Sequence, residues 1–577
     1  MGIKIRRTAA ASAASLLGLT LLAACGGSGG DTPGSGEAKA GGTLYVLQHF
    51  PFENTDPQRA YYGVELSWFR RMVYRSLVAF PMSEDPTVGN TPIPDLATDT
   101  GTPSDGARTW TFTLKDGVKW QDGSPITCED FRYGASRVFA NDLITGGPNY
   151  ILSYLDVKDY PGPYKATQAQ QAAFDKAIEC SNDNKTITYH FNKPWADFPL
   201  AVAALSMMDP YKQSEDQGAK SQFKIFSNGP YKLDGAWSKN QGATFVRNDE
   251  YDPSTDTPDQ LRKALPDSIV FEINTGDTAS TLFNDRLIAD AGKDQYAITT
   301  ARVTPAQFPQ VEQPNVKPRF LDVDTPYDSY LVPNFKKMTN PVVRQALAMS
   351  TDLNGYVKAL GGDLSATPGE TIVAPALDFP ANPAFADDNN NDGDPAAAKA
   401  LMEKAGIKLP VPLKVGYQAS TTYNKAFTVL ANTWKEAGFD VQLAPLTDTY
   451  YDVINKPDDD YDVTWAGWGA DWPSAMTVLP PLFDSRPNFS STSCGQDYGC
   501  YESDAFNKLV DEAANASNVD DQKSILEKAD LQLGKDYAYI PLEVTRFPWL
   551  FGSKVTGFTT TPASSAYPEI GLIGVEN

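Results

Sequence analysis

Arg108 to Phe131 is the stretch that most narrows the folds open to this chain. Trp110, Phe112 and Leu114 alternate with Thr109, Thr111 and Thr113, the period of a strand with one buried face. Asp116-Gly117 is turn chemistry, and Val118 and Trp120 read as the start of a return strand. Thr127, with Asp130 three residues on, predicts a capping box for a helix through Arg137. The same grammar recurs. Gly42 to Leu47 reads as a first strand ended by Gln48-His49-Phe50-Pro51, and Glu65 to Leu77 has helical spacing at Leu66, Phe69, Val73 and Leu77. Asp394 as N-cap, Pro395 at the first helical position and Gly406 as C-cap bracket another helix.

The N-terminus predicts export. Lys4, Arg6 and Arg7 precede an uncharged apolar run from Thr8 to Ala24, a signal peptide too short to span a membrane. Leu22-Ala23-Ala24-Cys25-Gly26 resembles the lipobox of bacterial lipoproteins, which implies cleavage before Cys25 and a lipid on its sulfur. Residues 25–42 then form a Gly/Ser-rich tether with no core-forming residues. About 535 residues follow, more than one core usually supports, so two or more lobes are expected. A net charge of −23 excludes nucleic acid as the main partner, which needs a basic face. Beyond Cys25 there are four cysteines, Cys128, Cys180, Cys494 and Cys500, an even number that suggests two disulfides in an exported chain. Of the three pairings, Cys128–Cys180 and Cys494–Cys500 is favoured. The first would close a long loop, worth roughly 4 kcal/mol in the chain-entropy picture. No metal site and no cofactor are expected, with no C-x-x-C and only His49 and His190 as histidines.

Tyr461 to Trp472 is the best candidate for a pocket. Tyr461, Val463 and Trp465 alternate with Asp462 and Thr464 as a strand, which runs into Gly467 and Gly469, where a second molecule can approach the backbone. Trp468, Trp472 and one carboxylate, Asp471, surround those glycines, a setting for a ligand partly apolar with a positive end.

Several of these pieces together resemble the extracellular solute-binding proteins of ABC importers, family 5, of the peptide-binding type. The resemblance is carried by Phe112, Leu114, Gly117, Val118, Trp120, Asp122, Gly123, Pro125, Thr127, Asp130 and Phe131. It continues through Thr186 to Phe198, Asn228-Gly-Pro-Tyr231, Arg247-Asn248, Pro341 to Leu347 and Asp394 to Gly406, and covers nearly everything from residue 42 onward. Cys128 stands where the family usually has alanine. The resemblance implies a two-lobed periplasmic-binding-protein-like fold (type II, large peptide-binding cluster) with an extra subdomain in lobe I. It places lobe I at 43–322 with the subdomain at about 85–215, lobe II at 323–540, and a return to lobe I at 541–577. Extended crossings fall near Phe320–Tyr330 and Tyr539–Phe547. It further implies a lipid-anchored monomer on the outer face of a bacterial membrane, capturing peptides between the lobes for ABC permease subunits.

By the same resemblance Asp471 stands where peptide-binding relatives pair an aspartate with the peptide α-ammonium. Gly467, Trp465, Trp468 and Trp472 are candidate walls, and Gln48, His49 and Phe50 candidate contacts from lobe I. Val415 to Trp434, where dipeptide-type relatives carry an arginine for the peptide carboxylate, has Lys425 and no arginine. Oligosaccharide binding by stacked tryptophans is the alternative ligand class. An exported hydrolase is a third reading, but the only G-x-S-x-G, Gly26 to Gly30, lies in the tether, and Ser221-Gln-Phe-Lys224 lacks companion motifs. Asp388 to Gly393 matches half of a calcium loop, with Lys399 at the twelfth position instead of glutamate.

Overall fold

A computed structural model describes residues 40–386, 391–447 and 449–576. The signal peptide, Cys25, most of the tether and Asp388-Asn389-Asn390 lie outside the described residues.

Three sheets organise the molecule. A five-stranded sheet has the order Ala297–Thr299, Thr43–Gln48, Ser268–Ile273, Gly242–Arg247 and Tyr231–Ser238. Its first strand pairs in parallel on both sides, so Leu44, Val46 and Leu47 are fully buried, as expected of a strand covered on both faces. Helix Gly63–Met72 packs Trp68 and Phe69 against Phe52 and Phe271 beside it. This helix ends before the expected Leu77. The Val73 carbonyl accepts from the Asn228 and Gly229 N–H groups (3.0 and 3.1 Å), so a distant loop takes the place of the next helical turn.

A four-stranded antiparallel sheet contains Thr102–Ser104, Thr109–Thr113, Thr186–His190 and Ile178–Ser181, in that order. Here the expected hairpin is corrected. Asp116-Gly117 does turn, but Val118 to Trp120 does not pair back on Thr109–Thr113, whose two edges are taken by Thr102–Ser104 and Thr186–His190. Trp120 instead closes a small loop with its N–H on Ser124 O (2.9 Å). Long-range cross-strand pairs outweigh a local turn signal. The following helix, Cys128–Val138, starts as expected, with the Thr127 N–H on Asp130 Oδ2 at 2.9 Å. The disulfide Cys128–Cys180 ties its first residue to the edge strand, and Cys494–Cys500 closes the other, local loop. Helix Pro395–Lys404 has Asp394 accepting from Ala397 N–H and Gly406 in the left-handed region, as expected.

The six-stranded sheet has the order Ala366–Pro368, Ile540–Leu550, Phe320–Pro333, Val463–Gly469, Val411–Gln418 and Phe439–Leu446. Its two long members, Phe320–Pro333 and Ile540–Leu550, are the segments expected as extended crossings. They run antiparallel with a break in register between Asp324 and Asp328. Pro326 lies in that break and has no N–H to give to a ladder, while Thr325 Oγ1 bridges to Thr545 O at 2.8 Å. The largest apolar cluster, drawn from residues 330–542, sits on this sheet. A second cluster fills residues 77–208 and a third gathers residues 44–74, 225–298 and 551–575.

Candidate functional site

Val463–Gly469 lies between Phe320–Pro333 and Val411–Gln418, and its first four residues are buried. At its far end Gly469 faces Tyr327 across the ladder, and a Cβ on Gly469 would collide with the Tyr327 ring. Gly467 has more room, its missing Cβ 3.2 Å from Asp328 O. Glycine is therefore required where the tyrosine crosses the strand. Past Gly469 the chain leaves the sheet and enters the space between the three clusters.

There Asp471 meets two tyrosines from other parts of the chain. Its Oδ2 accepts from Tyr61 OH at 3.0 Å and from Tyr150 OH in a shorter bond. Tyr61 precedes helix Gly63–Met72, and Tyr150 belongs to the 77–208 cluster. Burial pushes the Asp471 carboxyl above its ordinary range, partly offset by those two hydroxyls. Burial and the neighbouring carboxylate likewise drive the Tyr150 hydroxyl far up, so it remains a donor. No lysine, arginine or histidine among the described residues forms an ion pair with Asp471. Thr477 sets the loop: its Oγ1 accepts from the Asp471 N–H (3.2 Å) and its carbonyl from Trp468 Nε1 (2.8 Å).

The three tryptophans part company. Trp468 is half-buried and held by that bond to Thr477. Trp465 is 7% exposed, packed 5.0 Å from Tyr423 in the sheet's core. Trp472 crosses into the 77–208 cluster, where its Nε1 donates to Asp197 Oδ2 at 2.6 Å and its ring meets Tyr150 edge-on. Gln48, His49 and Phe50 end the strand Thr43–Gln48. Gln48 is fully buried with neither amide atom bonded. His49 Nδ1 lies 2.9 Å from Thr300 Oγ1, and burial, helped by the charge of Arg302, lowers its pKa to about 4. Phe50 packs edge-on against His49. None of these three lines the cavities that Asp471 lines.

Those cavities lie on either side of Asp471 and share Gly63, Leu66, Ala470, Asp471 and Ser565. The larger, about 560 Å³, is bordered by Arg70, Arg71 and Arg546, each ion-paired: to Asp209, Glu569, and Asp322 with Asp324, respectively. The smaller, about 470 Å³, is walled by Tyr61, Tyr62, Tyr327, Phe547 and Tyr567, with Thr545 and Arg302. Both sizes suit a small organic ligand. Two further acids sit just behind this wall. Glu543 accepts at Oε1 from Ser329 Oγ (3.0 Å) and Thr545 Oγ1 (3.4 Å), its Oε2 is buried without a partner, and burial raises its pKa to about 7. Asp328 is raised well above its ordinary value by burial and by the charge of Glu543. Among the described residues no group of three or more His, Cys, Asp or Glu side chains is arranged to hold a metal ion.

Of the sequence-based candidates, the structure brings Asp471, Trp472 and the glycine end of their strand to one place. It adds Tyr61, Tyr150 and Thr477, which sequence reasoning missed. Tyr61 and Tyr150 lie 410 and 321 residues from Asp471 in the chain, with no local pattern to link them.

The profile of the bacterial extracellular solute-binding proteins, family 5 Middle, matches residues 91–490. The oligopeptide-binding protein OppA of Bacillus subtilis (strain 168) is 26% identical over 536 residues, covering 88% of this chain and 89% of OppA. Among solved structures, clavulanic acid biosynthesis oligopeptide binding protein 2 superimposes with a TM-score of 0.82 at 24% identity, covering 93% of this chain and 96% of its own. The periplasmic binding protein DppA from Helicobacter pylori, in complex with the peptide STSA, gives 0.64 at 20% identity, covering 93% and 99%. The likeness to the solved structures shows the fold, the two-lobed α/β arrangement expected from the sequence.

Proposed function

Since the chain belongs to the bacterial extracellular solute-binding proteins of family 5, we propose that it is the peptide-capturing component of an ABC importer. One observation carries this reading. Asp471 is a partly buried carboxylate at the meeting point of two cavities, held by two tyrosine hydroxyls and without an ion-pair partner among the described residues. A peptide α-ammonium supplies the missing charge, and the tyrosines have already fixed the carboxylate's geometry, so little ordering remains at binding. The name of the OppA relative supports an oligopeptide as ligand. Stacking of sugars on tryptophan is less well served, because Trp465 and Trp472 are committed to apolar clusters. The protein binds without turnover, is a monomer anchored through lipid on Cys25 at the outer face of the cell membrane, and passes its ligand to permease subunits.

Native mass spectrometry of the gently purified mature protein should find adducts that fragment as peptides, and N-acetylated peptides should not displace them. Adducts spaced by hexose units, or equal binding of acetylated and free peptides, would overturn the assignment of Asp471 to an ammonium. Cys25→Ser should move the protein from the membrane fraction to the soluble one.

A further inference from the structure

The two cavities that meet at Asp471 have different walls. The larger borders on the rings of Phe80 and Trp472, the smaller on five: Tyr61, Tyr62, Tyr327, Phe547 and Tyr567. Apart from the tyrosine hydroxyls, the polar side chains of the smaller wall are Asp471, Arg302, Thr545 and Ser565. Phe547 packs 5.7 Å from both Tyr327 and Tyr567, so three of the rings form one continuous surface. Tyr327 lies against the bare backbone of Gly469, two residues from the carboxylate. Tyr62 is 59% exposed, a large ring that the chain itself leaves uncovered. This wall already holds one cation on a ring face: Arg302 Cζ lies 4.6 Å from the Phe547 centroid, inside the roughly 6 Å over which a ring attracts a cation. Among the described residues no lysine or arginine stacks on Tyr61, Tyr62, Tyr327 or Tyr567. Asp471 adds charge more than acceptor sites. Its Oδ2 takes two tyrosine hydroxyls, which fill the lone pairs of that oxygen, so a bound ammonium cannot place all three N–H groups on the carboxylate.

We infer that the smaller cavity is an aromatic cage for an alkylated ammonium, so that N-methylated and quaternary amines at the end of a peptide are ligands alongside the free amine. This rests on the assignment of Asp471 to the ammonium end, and it places that end in the smaller cavity. Attraction to the carboxylate and to the ring faces depends on charge, which methylation keeps. Methyl groups also bury apolar surface against the rings, and a compact ammonium is the more strongly hydrated cation, with more water to shed on entry. A site built on N–H···O bonds alone would reject the same ligand.

The test titrates four ligands calorimetrically into the mature protein: the tripeptide Gly-Ala-Ala, its N,N,N-trimethyl form, its N-acetyl form, and the neutral isostere in which 3,3-dimethylbutanoyl replaces trimethylglycine. The trimethyl form should bind within about threefold of the free peptide, and the isostere about tenfold more weakly than the trimethyl form or worse. Tyr62→Leu should weaken the trimethyl form by about fivefold and the free peptide by a smaller factor, and Tyr62→Phe, which keeps the ring, should restore most of that loss. Trimethyl binding as weak as acetyl binding, or equal binding of the trimethyl form and its isostere, overturns the inference. The first of these, with the free peptide still bound tightly, leaves the ammonium assignment standing. Equal binding of the free and acetyl forms removes that assignment and the cage with it, and so does failure of all four to bind.

Discussion

Asp471, partly buried, and Glu543, buried, are two carboxylates without an ion-pair partner among the described residues, and they are built to opposite ends. Asp471 receives both its side-chain bonds on one oxygen from tyrosines of distant parts of the chain, and it lines two cavities. Glu543 receives bonds from its own ladder neighbour Ser329 and from Thr545, and its remaining oxygen is sealed against protein. Both groups bear a desolvation cost that raises their pKa. Only Asp471 can recover that cost from something outside the chain. Burial strains an acid; access to a cavity decides whether a ligand or a proton relieves it.

Substitution should separate the two cleanly. Asp471→Asn keeps the shape and removes the charge, and peptide affinity should fall by about 100-fold or more, since loss of one partner of a buried charge pair costs roughly 2–5 kcal/mol. Its melting temperature should hold or rise, because an unpaired buried charge has gone. Glu543→Gln should do the reverse, leaving affinity alone and altering stability. In the wild type the folded pKa of about 7 lies above the ordinary 4.5, so the folded state holds a proton that the unfolded state releases between those values. Stability from this group is therefore fully present below about pH 4.5 and lost as pH rises through 7, on the order of 3 kcal/mol in all. Asp328 acts in the same direction. Urea melts across pH 5 to 8 should show a flatter profile and a more stable protein at pH 8 for Glu543→Gln; parallel profiles would erase the contrast.

A smaller effect sharpens it further. An ammonium favours the charged form of Asp471 and so lowers its raised pKa, which makes affinity complete above the free pKa. As pH falls below that value, affinity should drop by up to about tenfold per unit until the bound pKa is reached. Asp471→Asn should show no such slope. Smaller still is Tyr150→Phe, which deletes one donor to the carboxylate and should weaken peptide binding by about 1 kcal/mol, roughly fivefold. Tyr61→Phe should cost less, because Tyr61 is 40% exposed and water can replace its hydroxyl. An equal cost for the two would show that burial does not rank these donors.

Much of the fold could be read locally. Asp394, Pro395 and Gly406 act through their immediate neighbours, as do Thr127 and Asp130, so their helices begin and end where short-range chemistry says. The errors arose where distant chain intervened. Asn228 and Gly229 stop the helix at Met72, and Thr186–His190 takes the strand edge that a hairpin would have used. The site divides in the same way. Asp471 was legible because a lone carboxylate beside two glycines and three indoles is a local signature. Its tyrosine donors were not, being brought in by tertiary packing, and the indoles looked alike in sequence while burial assigns them to different clusters.

Trp472 leaves the strand that carries it and lodges among residues 77–208, bonded to Asp197. Any motion that swings those residues away from Val463–Gly469 must first draw an indole out of an apolar bed, at roughly 1.5–3 kcal/mol for the lost burial alone. Its neighbour in sequence is the carboxylate at the ligand cavity, so the toll on opening is levied one residue from the ligand. If the proposed cleft opens by that motion, Trp472 acts as its doorstop, and how long a guest stays depends partly on a side chain whose main contacts are with protein.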